Sequence, residues 1–596
     1  MRQNNITNWQ YDSSLNCLLF FAQRLDELLF HHTTDTYRYS SLSLRGLAAE
    51  YSSVYRDVRI GTINKKNLEH ISEELSHRLS CDDIAKKILT EEFCSRFIRN
   101  YKSWDIKTQF ENVQYIGRKL SNRTYYNHIV ESLNYLIREN RHKSEIDVKA
   151  AAFVRELLDC GYNENYIFQS LHEVFFHKEV SSLDSLDEFF ARFDFAEKSY
   201  DVFIGYSKDI SSLLPLYEKL EISDLNVSIV DPTSVPRGIK TKRQKTIFKF
   251  EGIKSYDMYY AFEIAEAVSS CVANSYTFFR HDPNQLHTYG QVVDSQNRIT
   301  TILPKRLLKY RVSSLSRDDS TKNAESLIKV LFKNFENLSN FSGITRIHNS
   351  AISSENTSDS LLSLWSILES IVDEDSNPDE RQSNRDDDDR SKIGNVISYA
   401  IPYLKSTHIQ KLVQTCMTDI IRWDRHFFDD HILNNGFGSN DLEHTFAFLA
   451  FESTQADRNC LFASTETYPL LRYRVCTLSD SLQNSKKIKS LIKDHTQRVI
   501  WHLHRIYRAR NYIIHDANAN NQLNEGLVIN LHSYVDTIFS EVITHISLSP
   551  YNDSIHDAIT NRKLSVLIMD EKLENRENEK ITSDNALQYL YYDFER

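Results

Sequence analysis

The sequence predicts a mainly α-helical protein carrying one small α+β segment. Three observations support this. Only 13 Gly and 9 Pro occur in 596 residues, so the residues that break helices are scarce. Apolar residues recur at helical spacing through the first third and again from about residue 313 onward. Between these regions, short runs of β-branched and aromatic residues alternate with turn residues. A chain of this length also exceeds a single domain.

Residues 1–197 read as a helical N-terminal region for sensing or assembly. Leu18-Leu19-Phe20-Phe21 leads into Leu25, Leu28 and Leu29; Phe93, Phe97 and Ile98 recur in the same way, as do Val154, Leu157 and Leu158. No motif in this region carries chemistry. Residues 198–312 read as α+β. Strands are expected at 200–206, 227–230, 246–250 and 290–293, with helices near 213–220 and 256–271. The order β-α-β-β-α-β suits a ferredoxin-like sandwich.

Residues 313–550 return to helical spacing. Helices are expected near 324–338, from 360, over 391–425, near 445–451, over 488–514 and over 527–546. Asp386-Asp387-Asp388-Asp389 reads as a solvated loop, because adjacent like charges repel and nothing fixes their geometry. Residues 551–596 read as a charged C-terminal tail.

The formal net charge of −11 argues against a protein that coats nucleic acid through a general positive field. It leaves room for a local basic site. The eight cysteines, Cys17, Cys81, Cys94, Cys160, Cys271, Cys416, Cys460 and Cys476, form no CxxC and no zinc-ligand spacing, so no metal and no cofactor is expected. The N-terminus lacks the apolar core of a signal peptide, and nowhere do about eighteen apolar residues run without a charge. The expectation is a soluble cytoplasmic protein with no membrane partner.

The residues best suited to chemistry lie in Arg505-Ile506-Tyr507-Arg508-Ala509-Arg510-Asn511-Tyr512-Ile513-Ile514-His515-Asp516. An Arg followed by His after four to six residues is a loose pattern. Arg24 with His31, Arg123 with His128, Arg425 with His431 and Arg498 with His504 also satisfy it. Context favours the stretch at 505–516. It ends a long amphipathic helix, and Lys486, Lys487, Lys489, Lys493, Arg498, Arg505 and Arg508 precede it against a single Asp494. Upstream stands Leu364-Trp365-Ser366-Ile367-Leu368-Glu369.

Together these two stretches resemble the HEPN ribonuclease domains of the Apea-like branch, whose R-x4–6-H motif and "LW-x-x-LE" helix they match over about residues 320–548. The chain departs from the compact family pattern by an insertion over about 373–485. The resemblance implies a metal-independent endoribonuclease of the type that acts as a regulated toxin in antiphage abortive infection, with the site at a dimer interface. It makes Arg510, Asn511 and His515 the catalytic candidates, with Asn511 at the polar position that recurs after the family's Arg. Glu369 on the facing helix either fixes Arg510 by a salt bridge or is a surface carboxylate. Lys486, Lys487, Lys489, Lys493 and Arg505 are the RNA-binding candidates. RNA is then the substrate, a homodimer or higher even oligomer the assembly, and a phage-derived component the trigger. Some HEPN domains bind nucleotides or proteins without cutting RNA, which makes a non-catalytic scaffold the alternative.

Arg508 competes with Arg510. On an ideal helix, positions five apart stand about 140° apart and positions seven apart share a face. Arg508 therefore aligns with His515, whereas Arg510 does so only if the last turn unwinds. Other candidates read as structural. His426, Asp429, Asp430 and His431 lie in the insertion and suggest surface residues. His502 and His504 suggest solvated helix positions. Arg237, Lys240, Lys242, Arg243, Lys245 and Lys249 suggest a solvated hairpin.

Overall fold

The computed structural model describes residues 6–593 except 11, 31–32, 62–63, 207–225, 231–234, 236–245, 281–286, 303–316, 333–334, 355, 374–387, 517–524, 549–553 and 577; some side chains within helices, including those of His515 and Asp516, are also outside the description. The chain is mainly helical, with one five-stranded antiparallel sheet. Among the described residues, no helix is long and apolar enough to cross a membrane.

The N-terminal helices share one core, built around the helix Asn16–Leu28. That helix is buried on every side, as its run of Leu and Phe requires. Its polar residues must therefore be paired. Asp26 meets His172 at 2.8 Å, and Glu27 meets Arg24 at 2.6 Å. Glu27 also meets Arg474 at 2.7 Å, and Leu470 joins the same core. The expected insertion thus docks on the N-terminal helices.

The sheet consists of β1 (Lys198–Tyr206), β2 (Asn226–Val230), β3 (Thr246–Ser255), β4 (His287–Val293) and β5 (Ile299–Ile302), in the order β2-β3-β1-β4-β5. The first four strands follow the order and directions of a split β-α-β-β-α-β unit, and β5 adds an edge hairpin that the sequence reading lacked. The helix expected near 213–220 lies outside the described residues, as do Arg237, Lys240, Lys242, Arg243 and Lys245. The helix Met258–Arg280 packs on the sheet so closely that a Cβ on Gly290 of β4 would stand 2.0 Å from the Phe262 ring. Glycine is needed there for that approach.

Two further cores make up the C-terminal half. One gathers the helices Phe335–Ser353, Thr357–Asp373, Asp388–Ser406 and Glu525–Leu548. The other gathers His408–Trp423, Asp441–Ala450, Pro469–Ser481 and Ala586–Tyr591. The helix Ser485–Asp516 runs through both: Ile488 and Ile492 enter the second core, and Val499, Leu503, Ile506 and Tyr507 the first. Its 32 residues span about 48 Å at 1.5 Å per residue.

The expectation of a charged tail over 551–596 is corrected. Residues Ile555–Asn575 form a helix, started by a capping box between Ser554 and Asp557. Ile555, Ala558 and Ile559 complete the first core, while Val566, Met569 and Leu573 complete the second. Lys405 holds Asp570 at 2.5 Å. The side chains of the four aspartates at 386–389 lie outside the description, and the helix Asp388–Ser406 begins within the run expected to be a loop.

Candidate functional site

The candidate site lies on the C-terminal half of the helix Ser485–Asp516, whose two faces meet different surroundings. One face, carrying Arg505, Arg508 and Tyr512, turns toward the N-terminal helices. Arg505 Nε donates to both carboxylate oxygens of Glu50 at 3.1 Å. Its Nη2 donates to Glu50 at 3.0 Å and to Glu74 at 2.6 Å, and its Nη1 to the Ser41 hydroxyl at 2.9 Å. Arg508 Nη2 donates to Glu50 at 2.8 Å. The Tyr512 hydroxyl donates to Asp57.

These charges are out of water. Arg505 is 1% exposed, and Arg508 and Glu50 are each 3% exposed. Burial pushes the Glu50 carboxyl up, but Arg505 and Arg508 outweigh it and hold the carboxyl down at about 2. Burial likewise opposes the charge on Arg505, yet Glu50 and Glu74 hold its proton more firmly than usual. Arg505, expected to bind RNA, is therefore committed within the chain in this conformation. Arg508 is committed in the same way.

His502 and His504 are not solvated, contrary to the sequence expectation. His502 Nδ1 lies 2.9 Å from the Tyr534 hydroxyl, and burial holds the ring down at about 3. His504 stacks on His70 with centroids 3.6 Å apart. Burial first, then the neighbouring imidazole and Arg508, bring His504 down to about 3.

The other face carries Arg510. Its Nη2 lies 3.5 Å from Glu369 Oε1, and its Nη1 donates to the side chain of Asn511 at 3.0 Å. Arg510 and Glu369 are 24% and 26% exposed. Of Arg505, Arg508 and Arg510, this is the guanidinium that solvent reaches. The structure thus brings together Arg510, Asn511 and Glu369, three residues singled out in the sequence. Trp365 of the same helix as Glu369 packs on Tyr507, with centroids 5.7 Å apart, and fixes the pairing of the two helices.

The side chain of His515 lies outside the described residues. The helix continues through Asp516, so positions 510 and 515 stand about 140° apart around its axis and positions 508 and 515 about 20°. The last turn does not unwind before His515.

The lysines expected to bind RNA do not cluster with Arg510. Lys486, Lys489 and Lys493 are exposed, but on the far half of the helix. Lys493 is about 26 Å from Arg510 along the axis and Lys486 about 36 Å. Lys487 pairs with Asp480 at 2.6 Å, and Lys489 approaches Glu574 at 3.7 Å. The expectation of one local concentration of positive charge is corrected, because a straight helix spreads in space what lies close in sequence. His426, Asp429, Asp430 and His431 do not converge either. His431 pairs with Asp457 at 2.9 Å and Asp429 with Arg425 at 2.9 Å.

Sequence reading missed Glu50, Glu74 and Asp57, because nothing local marks an acid whose partner is more than four hundred residues away. It also missed an open cleft of about 990 Å³ beside His70, lined by Tyr101 and Trp104 together with Arg59, Lys65, Lys102 and Lys107. Comparison with protein-family models, with curated proteins and with solved structures returned no match to this chain.

Proposed function

We propose that this chain is a metal-independent endoribonuclease of the HEPN type, acting as a regulated toxin in antiphage abortive infection. The observation that carries this reading is the placement of Arg510. It is solvent-accessible and set against Glu369 and Asn511, both of which lie in the two stretches that carry the resemblance. Arg508, its rival, is buried against Glu50.

The chemistry follows from the residue types. RNA supplies its own nucleophile, the 2′-OH. His515 takes that proton or protonates the leaving 5′-oxygen, since imidazole titrates near neutrality. Arg510 stays charged and presents a planar fork to the scissile phosphate. In-line displacement needs base and acid on opposite sides of the phosphorus. One chain provides one His515, and its helix turns position 510 about 140° away from position 515, so two chains in a homodimer complete the site, Arg510 of one chain acting with His515 of the other. The burial of Arg505 and Arg508 against Glu50 supports regulation: the N-terminal helices grip the same helix that bears the site, and a phage-derived trigger acting on them reaches it directly.

The test is incubation of purified protein with total cellular RNA in EDTA, with fragment ends analysed. The reading expects 2′,3′-cyclic phosphate ends from the wild type and none from His515→Ala. Cleavage leaving 3′-hydroxyl ends contradicts it. A second reading, a nucleotide-binding scaffold, is favoured by the cleft beside His70, where aromatic faces suit a base and four cationic side chains, set among Glu69, Glu73 and Asp105, offer partners to its phosphates. A protein that binds nucleotide there and cuts no RNA in any state supports it.

A further inference from the structure

A second cluster of reactive side chains stands apart from Arg510. The helix Glu525–Leu548 presents His532 and Asp536, one turn apart and therefore on one face. The helix Phe335–Ser353 brings His348 to the same place. His348 Nε2 lies 3.0 Å from Asp536 Oδ1, and His532 Nδ1 lies 3.2 Å from Asp536 Oδ2. The two imidazoles are nearly parallel, with centroids 5.3 Å apart at 22°. One ligand atom from each residue lies within 4.8 Å of the others.

We propose that His348, His532 and Asp536 bind one divalent transition-metal ion, zinc first among them. Two imidazoles and one carboxylate are the donor set that such ions prefer, whereas calcium and magnesium want oxygen alone. The spacing fits: ligand atoms about 2.1 Å from a tetrahedral ion stand about 3.4 Å from one another. The 3.0 and 3.2 Å separations run to the two different oxygens of Asp536, and the three ligand atoms lie within 4.8 Å of one another, so side-chain rotations draw them together onto one ion. Burial is graded in the same sense. The His532 side chain is 9% exposed and anchors the site from within, while those of His348 and Asp536 are 28% and 47% exposed and give an ion a path in. Three protein ligands leave a fourth position for water. The neighbouring cation, Lys411, donates to the Thr537 hydroxyl at 2.5 Å, and burial weakens its hold on its proton. Without an ion, Asp536 still bridges both imidazoles, so the two helices stay joined. The inference is independent of the nuclease reading.

The test is calorimetric titration of Zn²⁺ into the full chain after EDTA treatment and desalting, repeated with Co²⁺ under visible absorption. The wild type is expected to take up one equivalent at this site and to melt at a higher temperature with zinc. His348→Ala and Asp536→Asn are expected to lose roughly a hundredfold in affinity or more, and their melting to ignore zinc. Both positions are partly exposed, and circular dichroism checks that the variants fold. Cys81, Cys271, Cys460 and Cys476 are exposed thiols that also attract zinc. A thiolate-to-cobalt charge-transfer band, an undiminished affinity in both variants, or no uptake by the wild type overturns the proposal.

Discussion

Replacing Glu50 by Gln removes the one carboxylate that serves both Arg505 and Arg508 while keeping the side-chain shape. Its value to the folded state can be gauged in two ways. The carboxyl falls from an ordinary 4.5 to about 2 in the folded chain. At about 1.4 kcal/mol per pH unit, that difference is worth about 3 kcal/mol above pH 4.5. Breaking a buried ion pair from one side costs about 3–5 kcal/mol, because the other charge stays buried without its partner. Here Arg505 keeps Glu74, at 2.6 Å, so the lower end applies. Arg508, among the described residues, keeps no other carboxylate. The assay is urea denaturation of wild type and Glu50→Gln, with hydrogen exchange on the amides of Leu44–Ile60 and of 500–512. A loss of about 3 kcal/mol, with faster exchange in both segments, is expected. A change below about 0.5 kcal/mol, the range of an ordinary surface substitution, refutes the idea that this network joins the two halves.

Acid should weaken the fold in two windows. His495 and His502 are buried and held at about 4 and about 3, so as pH falls below about 6.5 the unfolded chain gains protons that the native state refuses. By pH 5 this costs about 2 kcal/mol for each, read as a falling urea midpoint, and a midpoint flat from pH 7 to 5 contradicts it. Below pH 4.5 the Glu50 contribution is lost in turn, as its carboxyl is protonated through about 2. Gly290→Ala should destabilise by about 1–3 kcal/mol, and Phe262→Leu should recover part of the loss in the double variant; additive effects would show that the ring is not the obstacle. Deleting residues 551–596 should leave the C-terminal cores unable to fold, seen as insoluble protein or lost helical circular dichroism. A truncated chain with wild-type melting would make that segment dispensable.

The helical class was readable because it rests on local chemistry, namely few helix breakers and apolar residues at helical spacing. The central strands were readable for the same reason, since Val202-Phe203-Ile204 and Phe248-Lys249-Phe250 carry their own pattern. β5 was not, because Ile299–Ile302 is a four-residue edge strand, too short to show an alternating pattern. The helix Ile555–Asn575 escaped because Leu564, Leu567 and Ile568 are exposed while Val566 and Met569 are buried, which blurs the apolar stripe. At the candidate site, two short motifs singled out Arg510, Asn511 and Glu369, which the structure places side by side. The assignments that misled were those that depend on distant partners. Arg505 reads as an RNA-binding residue and His504 as a solvated one until Glu50, Glu74 and His70 arrive from the other end of the chain. The cluster of His348, His532 and Asp536 was invisible for the same reason, with its third member nearly two hundred residues away.

The most direct measurement is the cleavage rate of a single RNA substrate by wild type, Arg510→Ala and His515→Ala, with melting temperature and oligomeric state recorded for each. Arg510 is partly exposed and holds Glu369 at 3.5 Å, so its loss should cost little stability. The expected result is at least about a hundredfold fall in rate for each variant, with folding and assembly unchanged. Full cleavage by folded Arg510→Ala or by folded His515→Ala would contradict the proposed site.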